Sequence, residues 1–154
     1  MKHVRRSVLL WYSPREMYEL VTAVEDYPDF LPWCAQAQVL ERHDDGMTAR
    51  LTLAKGGLQH AFTTRNEHVD GTRVRVALVD GPFSELKGDW QFLPVSRTPG
   101  VADADATACR IEFEMRYAFS NPALEALVSP VFDRIANTLV DSFVARAEQV
   151  HGPR

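Results

Sequence analysis

Residue types that ordinarily carry out catalysis or hold metals are present in this chain, but nowhere in an arrangement that serves either purpose. Its five histidines, His3, His43, His60, His68 and His151, are scattered, and no two stand at the i, i+4 spacing that puts two imidazoles on one helix face. Cys34 and Cys109 form no CxxC pair and have no Cys/His metal spacing. No GxSxG elbow, P-loop or GxGxxG turn occurs. No catalytic residue, metal site or cofactor is therefore assigned. Two patterns remain, and the chemistry of both is binding. One is an alternating row of large apolar side chains, Cys109, Ile111, Phe113, Met115, Tyr117 and Phe119, joined by Leu51, Leu53, Phe62, Trp90 and Phe92. The other is a set of arginines, Arg50, Arg65, Arg73 and Arg75, that share one parity on neighbouring extended segments. The first suits an apolar ligand and the second an array of phosphates.

Composition limits what these patterns can mean. With 154 residues the chain makes one domain, 1–154, at roughly 150 residues per domain. Hydrophobic residues make up 45% and charged residues 25%, which excludes a disordered chain. Seventeen Lys and Arg against 21 Asp and Glu leave a net charge of −4, a poor balance for sequence-independent phosphate binding and none for DNA. A local basic patch remains compatible with it. No apolar run approaches the ~20 residues of a membrane span. The stretch Val8 to Trp11 is too short for a signal segment, so the expected compartment is the cytoplasm and the cysteines are expected as free thiols.

The elements that must position these residues follow from periodicity. His3 to Leu10 reads as a strand. Ser13-Pro14-Arg15-Glu16 is a helix start with Ser at the N-cap, Pro at the first turn and Glu closing a capping box. Tyr27 to Trp33 is a short helical or irregular piece. From Cys34 to Phe119 the period is two, giving strands over Gln36–Arg42, Met47–Ala54, Leu58–His68, Arg73–Val79, Lys87–Leu93 and Ala106–Phe119. Ser96 to Asp105 is a long loop, and Asp80-Gly81-Pro82-Phe83 a tight turn. Beyond Asn121-Pro122 the period is 3.6, with an apolar stripe through Leu124, Leu127, Val128, Val131, Phe132, Ile135, Leu139, Phe143 and Ala147. Pro130 is expected to divide this region, with Ser129 capping a helix of some 20 residues, ~30 Å long, that runs to about Gln149.

This order predicts an α+β architecture in which an antiparallel sheet of about seven strands curves around one long C-terminal helix. One helix cannot fill the concavity, so a cavity is expected, walled by Leu51, Leu53, Phe62, Trp90, Phe92, Phe113, Met115 and Tyr117 from the sheet. Val131, Phe132, Ile135 and Leu139 face it from the helix. Each of these residues would serve equally as ordinary core packing.

Several ordered segments carry a resemblance that spans nearly the whole chain. Tyr27-Pro28-Asp29-Phe30-Leu31-Pro32-Trp33-Cys34, Phe62-Thr63-Thr64-Arg65-Asn66, Asp80-Gly81-Pro82-Phe83, Leu86-Lys87-Gly88-Asp89-Trp90-Gln91-Phe92 and Phe119-Ser120-Asn121-Pro122 resemble the coenzyme-Q-binding/RatA branch of the START-like, polyketide-cyclase-like (SRPBCC) superfamily. The resemblance implies a helix-grip fold around a hydrophobic ligand. It also implies a link to ubiquinone and respiration or, in bacteria, to a toxin that blocks association of the ribosomal subunits. The Ser96 to Asp105 loop is longer than the family pattern.

On that basis His60, on the parity of Leu58 and Phe62, faces inward with Thr64 and Asn66, either to orient a quinone or as a hydrogen-bonded structural histidine. Phe83, Phe30 and Trp33 stand at the cavity mouth and could dock at a membrane interface, or they pack against the first helix. The arginine row binds ribosomal RNA phosphate or anionic headgroups, or it is a solvated face paired with Glu67, Glu112 or Glu114. The resulting expectation is a non-enzymatic binder of ubiquinone or a related polyisoprenoid quinone, with peripheral membrane contact. The alternative is a RatA-type inhibitor that binds the large ribosomal subunit; a cyclase or dehydratase is a weaker third reading that lacks an acid/base pair.

Overall fold

Period-two patterning produces one antiparallel sheet, and 3.6-period patterning produces the helices that cover its inner face. The structure, a computed structural model, describes residues 1–96, 99–102 and 105–154. Strand β1 (Lys2–Leu10) is followed by helix α1 (Pro14–Thr22) and a 3-10 helix (Val24–Asp29). The meander β2 (Cys34–His43), β3 (Gly46–Lys55), β4 (Leu58–Val69), β5 (Arg73–Asp80), β6 (Phe83–Val95) and β7 (Ala108–Phe119) comes next, and helix α2 (Pro122–His151) closes the chain. The seven strands lie in the order β1-β7-β6-β5-β4-β3-β2. Register shifts in β2 (Cys34/Gln36, Val39/Glu41), in β5 opposite Thr63/Thr64, where Val79 is the extra residue, and in β6 (Phe83/Glu85) bend the strands and curve the sheet toward α2. This is the helix-grip fold of START-like proteins.

Along β7 the alternation is sharp: Ile111, Phe113 and Tyr117 are buried against the helices, whereas Arg110 and Arg116 are exposed on the outer face. β6 is longer than its periodicity suggests and begins at Phe83. Part of the long loop expected over Ser96–Asp105, residues 97, 98, 103 and 104, lies outside the described residues.

Helix α1 starts as its sequence dictates. The Ser13 hydroxyl accepts from the Glu16 N–H at 3.0 Å, and the Ser13 N–H donates to Glu16 Oε1 at 2.9 Å. The C-terminus locks onto the same carboxylate: Arg154 Nη1 donates to Glu16 Oε1 at 2.6 Å, and the Tyr12 hydroxyl donates to the Gly152 carbonyl at 2.7 Å. Burial alone would raise the Glu16 pKa, but the bonds from Arg154 and Ser13 outweigh it and hold the carboxyl below its ordinary value.

The expected division at Pro130 does not occur. α2 is continuous over 30 residues, about 45 Å, with Asn121 as N-cap accepting from the Leu124 N–H at 2.8 Å. Pro130 is exposed on the solvent side, and the carbonyl it leaves without a helical donor, that of Ala126, belongs to an exposed residue. The fully buried Val128 and Phe132 hold the helix to the sheet on either side of it. Leu127, read as part of the stripe, is 56% exposed; Ala136 and Val140 take up the buried face instead.

The core has two main parts. Leu10, Met17, Val74, Phe92, Ile111, Phe113 and Phe143 cluster with α1 at one end of α2. Leu53, Phe62, Phe83, Leu86, Tyr117, Phe132 and Ile135 cluster at the other.

Candidate functional site

A cavity of about 90 Å³ lies between sheet and α2, where these two clusters meet. Its existence traces to small residues on the inner face. Gly88 faces inward between Leu86 and Trp90, Ala49 faces inward on β3, and neither fills the space that a larger residue would occupy. The walls are Leu51, Phe62, Trp90, Phe113 and Met115 from the sheet, with Phe132, Ile135 and Leu139 from the helix. Val24, Tyr27, Trp33, Val76, Leu86 and Phe143 complete the lining, none of them in the expected wall. Val76 has a readable signal, since outward Arg73 and Arg75 force it inward; Tyr27 reaches the cavity from the short 3-10 helix and Trp33 from a turn, and neither segment is long enough to show a period.

Six other residues expected to bind the ligand, four in the wall with His60 and Phe83, lie elsewhere. Leu53 and Phe92 are each 1% exposed and belong to the solid core on either side. Tyr117 is also core, and its hydroxyl donates to Asp133 of α2 at 2.5 Å. Burial, and then this bond, raise its pKa. His60 and Val131 do face the helix side, but past the end of the cavity, in an open groove between the β3–β4 turn and α2 with Lys55, Leu127 and Arg134. Phe83 does not stand at a mouth. It is 5% exposed, stacked on Phe119 at 5.3 Å and set edge-on to Phe132 at 4.8 Å. The cause is the turn before it: a Cβ at Gly81 would stand 2.7 Å from Phe62 Cβ, so only glycine lets β6 begin this close to β4. Phe30 is half-buried against Phe143 with the Arg146 guanidinium 5.0 Å from its ring centre, and Trp33 is half-buried in the cavity wall.

The cavity is apolar with one polar feature. Thr64 and Asn66 are the two buried polar side chains among the described residues, and the Thr64 hydroxyl donates to Asn66 Oδ1 at 2.8 Å. The Asn66 Nδ2 makes no hydrogen bond among the described residues, which leaves a donor for an oxygen acceptor in the cavity. The Tyr27 hydroxyl, by contrast, is committed to the Val21 carbonyl, and burial raises its pKa. Both cysteines are buried free thiols outside this lining, pushed up by desolvation to about 11 for Cys34 and about 12 for Cys109. Among the described residues no group of His, Cys, Asp and Glu is placed to hold a metal, and no helix is long and apolar enough to cross a membrane.

The four arginines do share the outer face, but they differ in how they are engaged. Arg73 is held by Asp89 through two bonds, at 2.9 and 2.5 Å, and Arg65 donates to Asp45 at 2.7 Å. Arg50 and Arg75 are exposed and make no ion pair among the described residues. Glu114, expected to pair with this row, instead pairs with His3 at 2.8 Å and Arg116 at 3.2 Å.

Comparison with known proteins places this geometry in a family. The family model described as polyketide cyclase / dehydrase and lipid transport matches residues 10–144. The ribosome association toxin RatA of Pseudomonas aeruginosa is 42% identical over 150 residues, covering 97% of this chain and 98% of that protein. Coenzyme Q-binding protein COQ10 homolog B of Xenopus laevis is 26% identical over 147 residues, which are 95% of this chain and 58% of the relative. A START superfamily protein of Mycobacterium smegmatis superposes with a TM-score of 0.76 at 18% identity, covering 96% of this chain and 98% of the other, and so shares the fold. The chain belongs to the polyketide cyclase / dehydrase and lipid transport family, on the branch that contains RatA and the coenzyme-Q-binding COQ10 proteins.

Proposed function

We propose that this protein is a ribosome-association factor that binds the large subunit and blocks its joining to the small one. The observation that carries this reading is the end-to-end likeness to RatA at 42% identity, which leaves no part of either chain unmatched beyond a few residues. The ubiquinone reading is supported by a more distant relative over little more than half of that relative's length. The cavity narrows it further. Pockets that hold drug-sized ligands run to roughly 300–1,000 Å³, so a space of about 90 Å³ takes a small ring, and a quinone with its tail is larger than the cavity. The side chains that line the cavity include no carboxylate, imidazole or thiol, and this favours binding over acid/base chemistry.

The test is subunit joining in vitro. The full chain is incubated with purified large or small subunits, magnesium is raised to drive joining, and the product is followed by light scattering and gradient sedimentation. Incubation with the large subunit should block joining, whereas incubation with the small subunit and its removal before mixing should not. Normal joining in the presence of excess protein would overturn the reading.

A second reading concerns the cavity, and the Asn66 donor favours it. An apolar molecule with one oxygen acceptor, such as a quinone ring, is its ligand. A short-tailed ubiquinone analogue should bind saturably and quench the fluorescence of Trp33 and Trp90, which line the space; absence of saturable binding would remove it.

A further inference from the structure

The outer face contains a feature that the four arginines alone do not reveal. Strand register places Arg65 opposite Ala77, Ala77 opposite Lys87, and Lys87 opposite Arg116. These four residues therefore form one transverse row across β4, β5, β6 and β7, continued by Thr48 on β3 and His3 on β1. Strands lie about 4.8 Å apart, so the row from Arg65 to Arg116 is about 14 Å long. It contains three cations and no carboxylate, in a chain whose net charge is −4. The neighbouring row, Glu67, Arg75, Asp89, Glu114 and Arg5, mixes the two signs, with three carboxylates and two cations.

Two further facts make this row a groove rather than a solvated stripe. Ala77, the outward residue between Arg65 and Lys87, is small, so the floor between those two cations is low and exposes the backbone of Val76 and Gly88. The adjacent carboxylates are largely occupied: Asp89 holds Arg73, and Glu114 holds His3, Arg5 and Arg116. Arg75 and Lys87 are exposed and make no hydrogen bond or ion pair among the described residues. Glu67 is the one acidic group lining the groove without an ion pair among the described residues.

We propose that this groove seats the ribose–phosphate backbone of RNA and is the face through which the protein meets the ribosome; the second clause rests on the ribosome-association reading above. A straight row of fixed cations matches a linear polyanion. Lys87 in the row and Arg75 beside it are the cations available to phosphate, Arg75 with a forked donor and Lys87 with a point charge, while Arg65 and Arg116, paired with Asp45 and Glu114, add positive charge at the two ends of the row. The groove has no aromatic side chain on which a base could stack, so recognition is of backbone and independent of sequence. Glu67, the carboxylate of the groove without an ion pair among the described residues, lies on one side and repels a strand laid askew. An acidic protein segment fits less well, because the groove has no aromatic side chain of the kind that anchors a protein partner.

The experiment measures binding of the full chain to protein-free large-subunit RNA across a salt series, for wild type and for Arg75→Glu/Lys87→Glu. Arg42→Glu, on β2 and paired with Glu25, is the control. The double reversal should lower affinity by about tenfold or more at moderate salt. It should also flatten the slope of log K against log salt by about 1.4 to 1.8, since each of the two lost phosphate contacts removes about 0.7 to 0.9. Arg75→Gln/Lys87→Gln should show a smaller loss in the same direction, with both variants keeping the native circular dichroism spectrum. Unchanged affinity and slope would overturn the groove. Binding to intact subunits without binding to their free RNA would also overturn it, in favour of a ribosomal protein as partner. If the reversed variant still blocks subunit joining, the groove fails as the ribosome face and the functional reading stands. If wild type binds RNA through the groove yet leaves joining untouched, the groove stands and that reading fails.

Discussion

Strands β4, β5, β6 and β7 each present two surfaces that share a backbone and little else. Inward, Phe62, Thr64 and Asn66, then Val74 and Val76, then Leu86, Gly88 and Trp90, then Phe113, Met115 and Tyr117 make core and cavity. Outward, Arg65 and Glu67, then Arg73 and Arg75, then Lys87 and Asp89, then Glu114 and Arg116 make a charged face with a basic groove. Neighbours in sequence therefore differ completely in what a substitution does, because side chains alternate and a one-residue slip would exchange the two faces. The inner face specifies the fold and an apolar site. The outer face is charged and exposed at Arg75, Lys87 and Arg116, which leaves it able to specify a partner.

The sharpest way to break this contrast is to truncate an inner residue at a junction. Phe143 is 1% exposed and meets Trp90 at 5.3 Å, Tyr27 at 5.4 Å and Phe30 at 5.3 Å. Phe143→Ala should cost about 3–5 kcal/mol in chemical denaturation. A loss below about 1 kcal/mol would mean that the inner face does not carry the fold.

The lock between α1 and the C-terminus gives a smaller effect with a distinctive pH signature. Ser13→Ala removes the N-cap and should cost about 1 kcal/mol. Glu16 has a folded pKa below its unfolded value, so its contribution is present in full above roughly pH 4.3. It is lost as pH falls through the lower folded value. Glu16→Gln should therefore lower stability near neutrality and flatten the acid limb of the stability–pH curve. An acid limb unchanged by this substitution would show that the Arg154 contact does not form in solution.

Cavity filling is smaller again. Met115→Trp should cost under about 1 kcal/mol if the larger ring enters the space, against about 1–3 kcal/mol for overpacking a solid core. It should also block the short-tailed quinone analogue. On the outer face, Lys87→Ala should change stability by no more than about 0.5 kcal/mol, and a larger change would show that the groove is structural.

Much of this division is legible in the sequence, because period two assigns faces without knowledge of the fold. The inner row of β7, the outward parity of Arg50, Arg65, Arg73 and Arg75, and the Ser13–Glu16 capping box all follow from local pattern. Other features depend on register or on what is missing. The cavity owes its place to Gly88 and Ala49, and an absent side chain leaves no mark in a hydrophobic pattern. Phe83 turns inward through the Phe83/Glu85 register shift, which no alternation predicts. The row Arg65–Lys87–Arg116 exists only once four strands are aligned, and cross-strand alignment likewise reveals that Arg73 is already engaged by Asp89. Pro130 misleads because its local penalty is outweighed by the packing of Val128 and Phe132, a tertiary effect.

One experiment addresses the separation of the two faces directly. Wild type, Met115→Trp and Arg75→Glu/Lys87→Glu are each assayed for inhibition of ribosomal subunit joining and, by calorimetry on the same preparations, for binding of the short-tailed quinone analogue. The predicted result is a crossing pattern: the inner variant loses the quinone and still blocks joining, and the outer variant keeps the quinone and no longer blocks joining. Loss of both properties in either folded variant would contradict the account.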